Sequence, residues 1–421
     1  MYGVYNYSFL DIKSLIENSK NIWEKCDSKL PELNYEKFSL SKKKENEKQF
    51  YYFINAFFDK LENHLKQGNK MIEEEMKVWV EENISKSFVF DADESSMFEG
   101  NNFFDISKKF INRCTTYDST LSFENIGQAL RNVWIMNILQ HAFNIEVECT
   151  DAIYGYSMLY PYTDNLMDNP NLSKNEKIEY SKRLSKRLKG EKILPFNEDE
   201  RKIFDMVENI EKQFDRELFP EVYESILSIH NAQIDSLAQQ SGDMVPYEKN
   251  MIEISFNKGG TSVLADGYLV KGNLTEEEEK FCFNYGVLLQ LGDDLQDCFA
   301  DKNNFHSTIF SQLYGKHKYD NLTAKLINFT LETFNENFNF DTPNNKTIKK
   351  AMERNCIMLV LGAALVSKKC FSKEFIKKID VYFPVRSKFV LKIKKVLKQK
   401  MERLKKYENQ ALTNNSPSDK I

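Results

Sequence analysis

The chain has 421 residues, of which 41% are hydrophobic and 13% are aromatic, so it is long and apolar enough to bury a large core. Its net charge of −5 comes from charged residues of both signs along the sequence, which argues against a nucleic-acid-binding protein because those usually carry a basic face.

The cysteines and the N-terminus indicate an intracellular chain. The seven cysteines are scattered and never form a CxxC pair, which favours reduced thiols over a disulfide framework or a zinc cage. The first twenty residues lack the basic and apolar regions of a signal peptide, and no run of about 18 apolar residues could span a membrane. We expect a cytoplasmic protein without a transmembrane span, and the sequence leaves open a peripheral membrane contact and a homodimer.

Helical periodicity dominates the chain, and short alternating β-branched runs are nearly absent. The apolar residues of 50–65 follow the i, i+3, i+4, i+7 pattern, and later segments predict further helices at 124–143, 229–240, 276–299 and 347–371. The hydrophilic stretch 169–200 predicts a connector and a polar helix. We therefore expect one all-α domain over residues 1–405, followed by a disordered tail at 406–421.

Four aspartates lie within the apolar segment "LLQLGDDLQDCFAD" at 288–301. On a helix, Asp293, Asp297 and Asp301 form an i, i+4, i+8 stripe with steps of about 6 Å, and Asp294 lies about 100° from Asp293. Stacked carboxylates repel one another unless a cation lies among them, and oxygen ligands suit Mg²⁺ or Mn²⁺. A solvated acidic helix face is the alternative, but the leucines around the aspartates predict a largely buried helix.

A second acidic group occurs in "YGYSMLYPYTDNLMDNP" at 154–170, where Asp164 and Asp168 have i, i+4 spacing and Asn165 follows the first. Alone, this DNxxD pattern is a weak signal. Pro161 predicts either a kink or the start of a helix just before it. Together with the later aspartates, the motif predicts two carboxylate clusters facing one cavity.

Two adjacent glycines, Gly259 and Gly260, interrupt the helical pattern of "EISFNKGGTSVLADGYLV" at 253–270. Each glycine costs a helix about 1 kcal/mol relative to alanine. The pair therefore predicts a helix break or a close approach of backbone to ligand. Lys258 with the neighbouring hydroxyls of Thr261 and Ser262 would then form an anion-binding corner. A helix end closed by glycine is the alternative.

These three elements resemble the class I terpenoid (isoprenoid) synthase superfamily. "DNLMD" and "DDLQD" are similar to its two metal-binding aspartate motifs, "KGGTSVL" resembles the Lys-Thr segment of trans-prenyl diphosphate synthases, and "YGVLLQLGDDLQD" has Gln290 in their glutamine position. The stripe Asp293/Asp297/Asp301 also has the spacing of the terpene-cyclase metal triad. "IGQALRNVWIMNILQ" and "YPYTDNLMD" resemble a bacterial group of class I isoprenoid biosynthesis enzymes related to the large-terpene (tetraprenyl-β-curcumene) synthases. The resemblance is strong over 124–310 and weak over the first hundred residues.

The resemblance implies a single-domain all-α bundle around a central apolar cavity, and a lyase that ionises a prenyl diphosphate to an allylic carbocation. It implies three Mg²⁺ ions, which Mn²⁺ could replace. Metal ligands would be Asp164, Asn165, Asp168, Asp293, Asp297 and Asp301, with Asp294 ligating or orienting. Lys258 would bind diphosphate, and Arg183, Arg187 and Lys302 are further cationic candidates, although "SKRLSKRLK" also fits a solvated face.

An apolar cavity of this kind would be lined by aromatic residues that stabilise positive charge. The candidates are Trp134, Tyr160, Tyr162, Phe281 and Tyr285, each of which also fits an ordinary core position. Gln233 and Asp235 could face the cavity or belong to a hydrogen-bonded helix surface.

The departures from the family pattern bear on the reaction. The first motif lacks its second aspartate, and neither a GGKRxRP-like segment nor an Arg-Arg pair after the first motif is present. We therefore expect a one-substrate terpene synthase or cyclase. The alternatives are a prenyltransferase, either chain-elongating or of the head-to-head squalene/phytoene type, and a non-catalytic partner subunit. The five histidines show no HxxxH or HExxH spacing for zinc.

Overall fold

The computed structural model describes residues 10–67, 79, 83, 103–168, 172–240, 250–338 and 345–414. Within these ranges the structure contains α-helices and short helical turns and no β-strand, which confirms the all-α prediction. No helix in these ranges combines the length and the hydropathy needed to cross a bilayer. None of the seven cysteines forms a disulfide bond.

Fourteen α-helices fall within the described ranges. They are α1 (Ile12–Lys25), α2 (Leu40–Gln67), α3 (Phe103–Tyr117), α4 (Phe123–Ala142), α5 (Asp151–Asp168), α6 (Lys174–Leu188), α7 (Glu198–Gln213), α8 (Pro220–Ser236), α9 (Met251–Lys271), α10 (Glu276–Asn303), α11 (Asp320–Glu332), α12 (Asn345–Val366), α13 (Lys373–Asp380) and α14 (Ser387–Asn414).

The chain divides into two compact units. The first comprises residues 1–31 and 105–360, and the second comprises 32–104 and 361–421. The sequence predicted one domain over 1–405 and a tail from 406. The backbone of α14 is instead helical as far as Asn414, because "KKYENQALTN" contains neither proline nor glycine and is rich in residues that tolerate a helix.

The helices α9 and α10 form the centre of the first unit. The helix α9 ends at Gly272, whose φ of 82° lies in the left-handed region and whose N–H donates to the Tyr268 carbonyl at 2.7 Å. A capping box then starts α10: the Thr275 hydroxyl accepts from the Glu278 N–H, and the Glu278 carboxylate accepts from the Thr275 N–H at 2.9 Å. This short connection folds α10 back antiparallel along α9.

Contacts along the α9–α10 pair follow that antiparallel register. Lys271 pairs with Glu278 near the turn, and Ser255 contacts Asp294 far from it. Between these contacts, a Cβ added to Gly259 would lie 2.5 Å from the Gly286 carbonyl oxygen, so the two backbones touch. Most side chains of α9 between Ser255 and Val270 are buried, as this close packing requires.

The second unit has its own core. Val385, Phe389 and Ile393 are buried there, and Phe50 and Ile54 of α2 pack against them. Two ion pairs connect α2 to the end of α13 and to the residue before α14: Lys43, only 3% exposed, donates to Asp380 at 2.7 Å, and Arg386 pairs with Glu47.

Candidate functional site

The first unit contains a cavity of about 820 Å³ that is partly open to solvent. Its walls come from α4, α5, α6, α8, α9, α10 and α12, and from His306 just after α10. Much of the lining is aliphatic, including Ile135, Ile138, Ile226, Leu288, Leu289 and Leu359. A volume of this size is typical of small-molecule sites, which range from about 300 to about 1,000 Å³.

All four aspartates of α10 line this cavity. The helix runs without interruption from Glu276 to Asn303, so Asp293, Asp297 and Asp301 do lie on one stripe. Leu288 and Leu289 precede the aspartates on the same helix, and at 1.5 Å per residue Leu289 lies about 12 Å from Asp297 along the axis. The cavity therefore has an acidic region and an apolar region.

Asp294 is the buried member of the group, with 4% of its surface exposed. One carboxylate oxygen accepts a hydrogen bond from the Ser255 hydroxyl at 2.9 Å, and the other accepts from the Gln290 amide at 2.8 Å. Burial raises its pKa to about 6, although both hydrogen bonds and the nearby Lys258 oppose that rise. The helix α9 thus holds one carboxylate of the α10 group in a fixed orientation.

The remaining carboxylates are coupled electrostatically. Burial and then the neighbouring Asp297 raise the pKa of Asp293, whereas Arg131 and Lys258 lower it. Burial, followed by Asp294 and Asp297, raises the pKa of Asp301 to about 7. Negative charges brought this close favour a cation among them.

Two cationic side chains line the cavity with the aspartates. Lys258 was expected from the sequence, whereas Arg131 of α4 was missed. The only signal for Arg131 in the sequence is that α4 contains no other lysine or arginine, and its proximity to Asp293 depends on how α4 packs. His306 was also missed; burial and Lys258 lower its pKa.

The second predicted acidic motif lies at the end of α5, but the side chains of Asp164, Asn165 and Asp168 lie outside the described residues. Tyr160 and Thr163, just before the motif, line the cavity. Pro161 lies inside α5, so it does not start the helix.

The donor set fits a hard divalent cation. Within the described residues no three carboxylate, imidazole or thiol groups stand close enough to form a complete metal site. Mg²⁺ typically takes only one or two protein carboxylates and completes its shell with water and substrate phosphate oxygens. Asp293 and Asp297, coupled to each other within the cavity, can supply such a pair.

The glycine pair on α9 is not a helix break, and this prediction is wrong. The helix continues through Gly259 and Gly260 because both pack against α10: a Cβ on Gly260 would overlap the Phe283 ring. No backbone N–H is freed for an anion, and the Thr261 hydroxyl donates to the Asn257 carbonyl at 2.6 Å. Only Lys258 and Ser262 of the expected anion-binding corner line the cavity.

The other predicted cations lie elsewhere. Arg183 donates to Glu200 at 2.6 and 2.9 Å, and Arg187 donates to Glu211 at 2.6 and 2.5 Å. Both arginines therefore join α6 to α7, and neither is among the lining residues. Lys302 is exposed in the last turn of α10 and is not among them either.

The aromatic candidates divide into two groups. Trp134, Tyr160 and Tyr285 line the cavity. Tyr162 instead donates to Asp118 at 3.2 Å, and Phe281 is fully buried and stacks on Tyr285. Of the two polar residues of α8, Gln233 lines the cavity and the exposed Asp235 does not.

Comparison of the chain with protein-family models, with curated proteins and with solved structures gives no match. The resemblance drawn from the motifs therefore stays a prediction.

Proposed function

We propose that the chain is a Mg²⁺-dependent terpene synthase that ionises one prenyl diphosphate and releases diphosphate with a terpene hydrocarbon or alcohol. The observation that carries the proposal is the composition of the cavity in the first unit. Four aspartates, Lys258 and Arg131 line one region of it, and the remaining lining is mostly aliphatic and aromatic, with polar residues such as Gln233 and Asn355 among it. A prenyl diphosphate has the same division between an anionic head and an apolar chain.

The acidic region supports binding of the diphosphate head. Asp293 and Asp297 would hold Mg²⁺ there. The hydrogen bonds of Asp294 would keep this part of α10, and the carboxylates on it, in a fixed position against α9. Mg²⁺ bound at this point would stabilise negative charge on the departing diphosphate. Lys258 and Arg131 place two positive charges in the same region, which favours the diphosphate both bound and leaving.

The apolar region supports the hydrocarbon part of the reaction. Leucine and isoleucine side chains exclude water, which would otherwise trap an allylic carbocation early. Trp134, Tyr160 and Tyr285 present aromatic rings to the cavity, and aromatic faces attract positive charge. Among the described lining residues, Lys258 is the only lysine and Arg131 is the only arginine, and both belong to the acidic region. The apolar region therefore offers little positive charge to hold a second diphosphate.

The test is turnover by the purified full chain with Mg²⁺ and prenyl diphosphates of graded length, with and without isopentenyl diphosphate. We expect a hydrocarbon or alcohol from a single substrate, together with released diphosphate. Asp293→Asn should lower kcat/KM on the order of a hundredfold or more, and the matched change Asp235→Asn, at an exposed residue outside the cavity, should not.

Three outcomes would contradict the proposal or part of it. A longer prenyl diphosphate that forms only with isopentenyl diphosphate would identify a chain-elongating prenyltransferase instead. Full activity of Asp293→Asn would remove the metal-binding role of this aspartate, and no turnover of any prenyl diphosphate by the wild-type chain would remove the synthase assignment.

A further inference from the structure

The positive charge of the chain is concentrated near its C-terminus. Residues 368–404 contain thirteen lysine and arginine residues against three acidic ones, whereas the whole chain carries a net charge of −5. The total charge therefore hides a strongly basic segment. Such a segment attracts anionic partners and is sensitive to salt.

Helix α14 presents four of these thirteen cations to solvent on one side. Its opposite side is buried through Phe389 and Ile393 in the core of the second unit. The exposed side carries four lysines with i, i+4, i+7, i+10 spacing, which lie within about 120° of the helix circumference. We call this set the lysine stripe: Lys388, Lys392, Lys395 and Lys398, all of them exposed.

The described acidic residues of α2 that form ion pairs with this segment pair with cations outside the lysine stripe. Glu47 pairs with Arg386, Glu62 with Arg403, and Asp59 with Lys400. Among the described residues no carboxylate forms an ion pair with the stripe. One lysine of the stripe has a described contact: the Lys392 ammonium lies 4.5 Å from the centroid of the Tyr51 ring.

An apolar side chain lies inside this basic surface. Leu391, between Lys388 and Lys395 on the same side of α14, is 51% exposed. A leucine surrounded by lysines suits a lipid headgroup layer, where the ammonium groups meet phosphates and the apolar side chain enters the boundary with the acyl chains.

The arrangement of the arginines disfavours a nucleic acid. Arginine recognises phosphodiesters and base edges with two parallel hydrogen bonds, whereas lysine acts as a point charge. Arg386 and Arg403, the arginines of this segment, already bind carboxylates of α2. The stripe itself offers only lysines and a leucine.

We propose that the lysine stripe docks the chain peripherally on a bilayer surface that contains anionic phospholipids. The docking does not depend on the proposed enzymatic activity. Each lysine near such a surface changes the partition coefficient by about fivefold, so the stripe acts through its number of charges rather than through one specific contact.

The experiment is flotation of the purified full chain with vesicles of phosphatidylcholine alone or mixed with phosphatidylglycerol, at low and high salt. We expect binding only to the mixed vesicles and its loss at high salt. The triple variant Lys388→Gln/Lys395→Gln/Lys398→Gln should lose about a hundredfold in partition coefficient. The matched control is Lys25→Gln/Lys192→Gln/Lys316→Gln, which removes the same charge from exposed positions of the first unit and should bind like the wild type.

A second variant separates lipid from other polyanions. Leu391→Ala should weaken vesicle binding several-fold and leave the weak binding of a DNA duplex unchanged. Thermal unfolding of each variant checks that it folds, and exposed unpaired lysines should be replaceable without loss of stability. The proposal is overturned by no flotation with anionic vesicles at low salt, by equal binding of the triple variant, or by tight binding of duplex DNA without binding of vesicles.

Discussion

Gly259 of α9 and Gly286 of α10 bring two helix backbones into direct contact beside the acidic region of the cavity. A Cβ on Gly259 would lie 2.5 Å from the Gly286 carbonyl oxygen, a distance that real Cβ atoms do not show. One turn before Gly259 on α9, Ser255 donates to Asp294 of α10. The position of a cavity carboxylate therefore depends on how closely these helices approach.

Gly286→Ala should lower the free energy of unfolding by about 3 kcal/mol, because the added methyl group meets backbone atoms that cannot move aside independently. Urea unfolding measures the change. Gly127→Ala is the matched control: it is also helical, no atom lies within 4 Å of the added Cβ, and it should gain about 0.5–1 kcal/mol. Equal stability of the Gly286 variant and the wild type would show that α9 and α10 do not need this close approach.

The adjacent glycines of α9, Gly259 and Gly260, show what the sequence could and could not predict. Local periodicity located the helices well, since the segments predicted at 124–143 and 276–299 became α4 and α10. The helical cost of Gly259 and Gly260 was also readable. The sequence could not predict that α10 packs against these two glycines, because the turn after Gly272 is what brings α10 alongside α9.

The charged residues follow the same rule. The stripe of aspartates follows from helix geometry alone, so the sequence could place it. The local sequence pattern could not show which cations lie near the aspartates. Arg183 and Arg187 bind carboxylates of α7, whereas Arg131 of α4 lines the cavity. Only the packing of separate helices distinguishes a cation that holds two helices together from one that faces a ligand.

Mg²⁺ should stabilise the folded chain through the carboxylates of α10. At a concentration about a hundredfold above its Kd, an ion that binds only the folded state adds about 2.7 kcal/mol. The measurement is the shift in Tm with Mg²⁺ against NaCl at matched ionic strength. The double variant Asp293→Asn/Asp297→Asn should lose the shift, and Asp235→Asn should keep it. An unchanged shift in the double variant would place the bound ion elsewhere.

Arg183→Ala should lower the free energy of unfolding by about 3–5 kcal/mol, because Glu200 is only 1% exposed and would be left as a buried charge without its main partner. Lys182→Ala, at the exposed neighbouring position, should stay within about 0.5 kcal/mol of the wild type. Urea unfolding of both variants is the test. A large increase in KM for a prenyl diphosphate with unchanged stability would instead favour the diphosphate-binding role predicted from the sequence.

Asp266 on α9 is a buried carboxyl group without a hydrogen-bond partner among the described residues. Burial raises its pKa well above the ordinary value. The titratable groups coupled to it are Tyr156, Cys282 and Tyr285, and burial raises the pKa of each of these as well. No cation among these groups compensates a negative charge, so folding favours the protonated form of Asp266.

Asp266→Leu should therefore increase stability, and the gain should grow with pH. The unfolded chain loses the Asp266 proton near pH 4, whereas the folded chain keeps it to a much higher pH. Between these two values the folded state binds more protons, so the wild type loses up to about 1.4 kcal/mol of stability per pH unit from this group. The leucine variant lacks that contribution, and it also removes an unsatisfied polar group worth about 1–3 kcal/mol.

Urea unfolding from about pH 5 to about pH 8 measures the difference between variant and wild type, and Asp235→Asn controls for the loss of one carboxyl. A difference that stays constant across this range would mean that Asp266 is ionised in the folded chain.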